Sequence, residues 1–333
     1  MTHMADEIAE IPAAAARFLQ RNAATLIRIG AVMRELDPAL VVTVARGSSD
    51  HAATYLKYAV ELTTGVPVAS VGPSVASVYG RSLRLERSVC IAISQSGRSP
   101  DIGAMLTSAR ASGAVGIAIT NDPDSPLAQV ADHCLPLFAG VEASVAATKT
   151  FAVSVLAVLA LLAEWQDDAV LRNAVQAVPE AFAQALALQW SPLADRLARA
   201  QSAFVLGRGP GFAIACELAL KLKETCALHA EAHSSAEVLH GPAALARDAF
   251  PVLALAVQDA AQAQVLTTAQ RLAGQGADVF VTGAELPVVA TLHPLVDPLL
   301  LAVTFYALAE GLARRRGLDP DAPRHLRKVT QTI

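Results

Sequence analysis

The sequence predicts an α/β fold of three-layer α-β-α type, with two tandem domains each built on a mainly parallel, doubly wound sheet. Three observations predict it. The 333 residues exceed one ordinary domain and suit two, at roughly 150 residues each. Short apolar runs rich in β-branched residues alternate with longer helical patterns, as in a parallel sheet covered on both faces. A strand, glycine turn and helix also recur. They appear as Val44-Ala-Arg-Gly-Ser-Ser49 before a helix holding Tyr55 and Glu61, and as Leu206-Gly-Arg-Gly-Pro210 before one holding Glu217 and Glu224.

In chain order, a lead-in helix is expected over residues 1–28, without Met1-Thr-His-Met4, which is left outside the fold argument. The first domain, 29–166, has strands at 40–45, 66–70, 89–94, 115–120 and 133–137, with helices at 50–63, 101–112 and 148–165. A helical linker over 167–195 ends in Trp190-Ser-Pro192 and contains no flexible low-complexity run, so the halves are expected to pack together. The second domain, 196–322, has strands at 202–206, 251–256 and 277–282 and helices at 213–228 and 262–274; a tail, 323–333, closes the chain.

Composition excludes several classes of function. Hydrophobic residues make up 53% and charged residues 17%, which raises the question of a membrane. The uncharged stretch 151–163 is shorter than the ~20 residues a spanning helix needs. The stretch 286–309 is interrupted by His293, Pro294, Asp297 and Pro298. Asp6, Glu7 and Glu10 stand where a secretory signal would be basic and then apolar, so a cytoplasmic protein is expected. A net charge of −4 offers no field for nucleic acid. Cys90, Cys134, Cys216 and Cys226 lack zinc-site spacing and read as reduced core thiols.

Two turns in the first half are sized for a phosphate. The strand at 89–94 delivers Ser94-Gln-Ser-Gly-Arg-Ser99, with Ser99 at the N-cap and Pro100 in the first turn of a helix. Hydroxyls and free N–H groups at a helix N-terminus favour an anion, although a serine-rich turn can also do no more than cap the helix. Arg46-Gly-Ser-Ser49 lies at the end of another strand, so both turns would face one crevice. Val145-Ala-Ala-Thr-Lys-Thr150 is a third polar helix opening, again open to a capping role alone. Gly207-Arg-Gly-Pro-Gly211 resembles a dinucleotide fingerprint, but its glycine spacing, its proline and the lack of a closing acidic residue argue against a nicotinamide cofactor.

Chemistry gathers in the second half. Glu217, Lys221 and Glu224 fall on one narrow helix face, which is either a solvated ion-paired stripe or a reactive one. The loop-like run from His229 to Pro242 adds histidines and carboxylates, but not the helical histidine pair of a metal site. Acid–base work on an organic substrate fits these groups better. A carboxylate can carry a proton between adjacent carbons while a histidine serves a sugar oxygen.

Arg46-Gly-Ser-Ser49, Ser94-Gln-Ser-Gly97, Thr148-Lys149, Glu217-Leu-Ala-Leu-Lys-Leu-Lys-Glu224, His229-Ala-Glu231, Glu237-x-x-His-Gly-Pro242 and Pro323-Arg-His-Leu-Arg-Lys328 occur in one order along the chain. In that order they resemble the isomerase half of glucosamine-6-phosphate synthase, of the double sugar-isomerase (SIS) family, over nearly the whole chain. Glu7-Ile-x-Glu10-x-Pro12 resembles that module's lead-in helix. The resemblance implies a sugar phosphate held by Ser49, Ser94, Gln95, Ser96 and Ser99, with Val145, Ala147 and Thr148 beside the sugar. It implies that Glu224 shuttles a proton between C1 and C2, with Lys221 and Glu217 as helix neighbours. His240 would open the ring in the partner of a homodimer, and Lys328 would meet the ketose carbonyl.

Departures from the family retune these expectations. The sequence shows no glutaminase half and no amino-terminal nucleophilic cysteine, so glutamine is not expected as the nitrogen source. Ala147 replaces a serine, Arg327 a small residue, and Val257-Gln-Asp-Ala260 stands where the first half has its phosphate loop, so one phosphate site per chain is expected. The similarity is greatest to stand-alone enzymes that convert glucosamine 6-phosphate and water to fructose 6-phosphate and ammonia, without metal or organic cofactor. The alternatives are a synthase-like enzyme using free ammonia, a plain aldose–ketose isomerase, and a non-catalytic sugar-phosphate sensor. A sensor would be expected to lack the Glu, His and Lys set or to carry a DNA-binding helix-turn-helix.

Overall fold

The structure is a computed structural model and describes residues 2–328. Along the chain run α1 (His3–Ala9), α2 (Ile11–Leu36), β1 (Leu40–Val44), α3 (Ser48–Thr64), β2 (Val68–Ser70), α4 (Ser74–Ser77), β3 (Ser88–Ile93), α5 (Pro100–Ala111), β4 (Val115–Thr120), α6 (Pro126–Val130), β5 (His133–Pro136), α7 (Lys149–Trp165) and α8 (Ala169–Ala187). They continue as α9 (Ser191–Leu197), β6 (Ser202–Gly207), α10 (Pro210–Cys226), β7 (His229–Ser234), β8 (Pro251–Ala254), α11 (Gln262–Gly274), β9 (Asp278–Val281) and α12 (Asp297–Arg315). Two 3₁₀ turns, Glu237–His240 and Pro242–Leu245, follow β7.

The chain divides into two compact units. One combines Ala13–Glu142, Lys149–Gln176 and the tail from Arg327, and carries β1 to β5. The other combines the residues up to Pro12 with Ala143–Thr148 and Ala177–Leu326, and carries β6 to β9. The α/β class is as the sequence predicts, with a five-stranded and a four-stranded sheet, both parallel.

In the first unit the order is β2-β1-β3-β4-β5. Winding therefore reverses between β1 and β3, whose carboxyl ends open a crevice where ligands collect in such sheets. The pairing Val41↔Val89 through Val44↔Ala92 brings Arg46 and Ser94 to that same end. Val42, Val44, Cys90, Ala92, Met105 and Leu106 pack as one buried cluster. The long apolar run that raised the membrane question is α7, buried along nearly its whole length and packed on α3. Among the described residues no helix is long and apolar enough to cross a membrane.

In the second unit the order is β7-β6-β8-β9. The internal repeat holds down to backbone torsions. Gly47, at the N-cap of α3, has φ 56° and ψ −133°, and Gly209, at the N-cap of α10, has φ 54° and ψ −133°. A positive φ there is accessible to glycine at little cost.

Two segments differ from the sequence-based expectation. His229–Ser234, taken as loop-like, is β7, paired in parallel with β6 from Ser202↔His229 to Gly207↔Ser234. An edge strand can carry His and Glu on an exposed face, so it lacks the apolar run that marks the inner strands. Thr2–Met4 also belong to the fold. Thr2 caps α1 by accepting from the Ala5 N–H, and the Asp321 carboxylate accepts the His3 and Met4 N–H groups at 2.7 Å each.

The cysteines are free thiols. Burial pushes the Cys90 thiol up to about 12 and the Cys226 thiol up to about 11, so both stay protonated and unreactive at neutral pH.

Candidate active site

The loop Ser94–Ser99, expected from the sequence to hold a phosphate, lies at the carboxyl end of β3. The Ser94 hydroxyl accepts the Gly97 N–H at 3.2 Å and closes the turn, while Ser96 accepts the Arg98 N–H at 3.3 Å. Ser99 stands at the N-cap of α5 but its side chain makes no capping bond. The neighbouring turn differs slightly from expectation, because α3 begins at Ser48 and Ser49 therefore sits inside its first turn. Arg46, half exposed, reaches across to the buried Asp101 in the first turn of α5 at 2.8 Å and ties the two turns together. Burial pushes the Asp50 carboxyl up, against the opposing pull of His51 and Arg46.

Gly97 has φ +62°, and a Cβ there would overlap the Ser125 side chain and lie 2.9 Å from Thr120 Oγ1. Gly97→Ala should therefore deform the loop, with strain of about 1–3 kcal/mol. Thermal unfolding and inorganic phosphate binding by calorimetry check this, with both expected to weaken.

A cavity of about 770 Å³ opens beside this loop, lined by Gln95, Ser96 and Arg98 and, on other walls, by Arg17, Arg21, Phe138, Glu142 and Lys328. Ser49, Ser94 and Ser99 are not on its wall. Arg17 Nε donates to the Phe138 carbonyl at 2.6 Å, and the Arg21 guanidinium lies 5.1 Å from the centre of the Phe138 ring. Lys328 Nζ donates to Glu142 Oε2 at 2.9 Å. Glu142 was not among the residues read from the sequence. It belongs to no recognisable spacing pattern, and only its place three residues ahead of Val145 pointed toward it.

In the other unit the charged stripe of α10 is buried, not solvated. Glu217 and Lys221 side chains are 0% exposed and Glu224 is 22% exposed. Lys221 Nζ lies 2.5 Å from Glu224 Oε2 and 3.4 Å from Glu217 Oε1, and Tyr306 of α12 donates to Glu217 Oε1 at 3.1 Å. Of the three, Glu224 lines a cavity, of about 620 Å³, together with Leu318, Asp319, Pro323, Arg324 and Leu326. A carboxylate there can exchange a proton with a bound molecule while its helix partners stay fixed.

The segment carrying Val145, Ala147 and Thr148 is held from two sides. The buried Glu7 carboxylate accepts the Ala143 N–H, the Ser144 N–H at 3.2 Å and the Ser144 hydroxyl, and the Val145 N–H donates to the Asp321 carbonyl at 3.2 Å. Val145 and Ala147 are partly exposed and Thr148 is buried. His240 ends the first 3₁₀ turn, exposed, and its side chain makes no hydrogen bond or ion pair with a described residue. No described contact joins it to Glu224. At the end of β8, Val257 and Gln258 line a smaller cavity of about 230 Å³ with Val288, Leu300 and Leu301, in place of a serine loop.

The sequence profile of the SIS domain matches residues 39–164 and 196–283. The chain belongs to the SIS domain family. Both SIS regions coincide with the two parallel sheets. Among curated SIS relatives, the glutamine–fructose-6-phosphate aminotransferase [isomerizing] of Symbiobacterium thermophilum is 34% identical over 313 residues, covering 86% of this chain and 51% of the relative. The chain thus spans about half the length of the curated relatives it matches. Among solved SIS structures, one from Silicibacter pomeroyi DSS-3, provisionally named a phosphosugar isomerase, is 51% identical with a TM-score of 0.93, covering 96% of this chain and 100% of that one. The glucosamine-6-phosphate deaminase of Thermotoga maritima shares the fold at 22% identity and TM-score 0.83, over 99% and 100% of the two chains.

Proposed function

We propose that this SIS protein isomerises and deaminates an amino-sugar phosphate, converting glucosamine 6-phosphate and water to fructose 6-phosphate and ammonia. The observation that carries this is the α10 constellation, in which a buried Lys221 braces two carboxylates and Glu224 lines a cavity. The relative from Symbiobacterium, whose name couples amino transfer with fructose 6-phosphate, supports the same substrate class.

The roles follow the chemistry. The serines of Ser94–Ser99 and the first turn of α3 at Ser49 take the phosphate through hydroxyls and helix N–H groups. His240 moves protons on the ring oxygen and the C1 hydroxyl to open the ring. Its exposed position, without a partner among the described residues, suits service to a second copy of the chain in a homodimer. Glu224 removes the C2 proton, leaving an enolamine, and returns a proton to C1. The resulting C2 imine takes up water and expels ammonia, so atoms balance without an added reductant or oxidant. Lys328 meets the open-chain ketose carbonyl, Glu217 and Lys221 position Glu224, and Val145, Ala147 and Thr148 shape the sugar pocket.

A substrate panel tests this. Purified protein is given glucosamine 6-phosphate, glucose 6-phosphate or N-acetylglucosamine 6-phosphate, and ketose phosphate is measured. Product from glucosamine 6-phosphate, and little from the other two, is expected. Equal conversion of glucose 6-phosphate would make the protein a plain isomerase, and no conversion of any would leave a sensor.

A further inference from the structure

We propose that Glu142 is a positioning residue that aims the Lys328 ammonium into the cavity shared with the phosphate loop; this rests on the role given above to Lys328. Glu142 is fully buried, and its carboxylate is fixed on the N-terminus of α7. Oε1 accepts the Thr150 N–H at 3.1 Å, and Oε2 accepts the Thr150 hydroxyl at 2.6 Å. The Thr150 N–H is one of the four first-turn donors that a helix cannot satisfy internally, and the positive end of the helix dipole favours a carboxylate beside it. Lys328 has no such scaffold, because residues 318–328 form neither helix nor strand. Its Nζ donates to the same Oε2 that accepts from Thr150, and its side chain is 24% exposed.

A rigid carboxylate thus grips an amine carried on an irregular tail, and both line the cavity with Gln95 and Ser96. A charge-assisted bond of this length sets the direction of the amine as well as its distance. A pair that served only to tie down the tail would have no need to sit beside the phosphate loop. Thr150 and Glu142 are eight residues apart and Lys328 lies 186 residues further along from Glu142, so the device is assembled only by folding.

The test compares Glu142→Gln, Glu142→Asp, Lys328→Met and the Glu142→Gln/Lys328→Met double variant. Two readouts are used. A short pulse of reductive methylation, read by mass spectrometry, reports the reactivity of Lys328 relative to exposed Lys223 and needs no substrate. In Glu142→Gln the ratio is expected to change by about 3-fold or more, with Glu142→Asp restoring part of the parental value. With sugar phosphate, Glu142→Gln should lose about 10-fold or more in kcat with KM nearly unchanged. The double variant should then be no slower than Lys328→Met. An unchanged methylation ratio, or losses that multiply in the double variant, would overturn the proposal. If the parent turns over no sugar phosphate, the functional role fails while the methylation ratio still decides whether Glu142 holds Lys328. If Glu142→Gln does not fold, the Asp variant is read by the same two measurements.

Discussion

Replacing Glu224 by glutamine is expected to lower kcat by about 10²- to 10⁴-fold, the usual contribution of a positioned general base. Substrate affinity should stay close to the parental value. The reason lies in the placement of the three α10 side chains. Glu217 and Lys221 are wholly enclosed, whereas Glu224 is 22% exposed and lines a cavity. Glutamine keeps the shape, and its carbonyl oxygen can still accept from Lys221 Nζ, which stands 2.5 Å from the carboxylate in the parent. What disappears is the basic lone pair that would take the C2 proton. Steady-state kinetics with calorimetric binding of fructose 6-phosphate separates the two effects. Parental turnover in Glu224→Gln would assign the base elsewhere.

Lys221→Met should have the largest effect on stability. It removes the ammonium that stands within 3.4 Å of Glu217 and 2.5 Å of Glu224, leaving two carboxylates on one helix face, one of them, Glu217, wholly enclosed. Breaking a buried pair by deleting one partner costs about 3–5 kcal/mol, because the remaining charge is stranded. Methionine fills much of the lysine volume, so the loss is electrostatic more than steric. A fall in Tm of roughly 10 °C is expected at this domain size. Lys221→Arg, which keeps the charge but brings a larger planar head into a closed space, should fall between the two. A Tm within about 1 °C of the parent in Lys221→Met would mean that the ion pair stabilises little.

These two residues also show how far the sequence could be read. Their spacing on α10 was legible, since residues at i, i+4 and i+7 must share a face. Their burial was not, because spacing does not say whether solvent or α12 covers that face, and Tyr306, which meets the stripe at Glu217, comes from 89 residues along the chain. The strand and glycine-turn repeat was legible, because a positive φ before a helix restricts the residue to glycine. β7 was not, since an edge strand with one exposed face carries polar side chains that read as loop. Glu142 stayed hidden for a further reason. Its partners, Thr150 and Lys328, meet it only through the fold, and its immediate sequence neighbours give no pattern.

The site's division of labour accords with the low charge of the chain. A net charge of −4 gives no long-range attraction for an anionic sugar, so under the proposed function capture would fall to the local loop at Ser94–Ser99 and to the cations Arg17, Arg21, Arg98 and Lys328 around the cavity beside it. Binding should accordingly respond to salt through these few groups, not through the protein as a whole.

The most direct measurement of the central claim is the yield of ammonia and fructose 6-phosphate from glucosamine 6-phosphate, followed together in one reaction of the parent protein with chelator present. Deamination through a C2 imine predicts that the two appear in equal amounts and at equal rates. Fructose 6-phosphate without ammonia, or neither product, would contradict it.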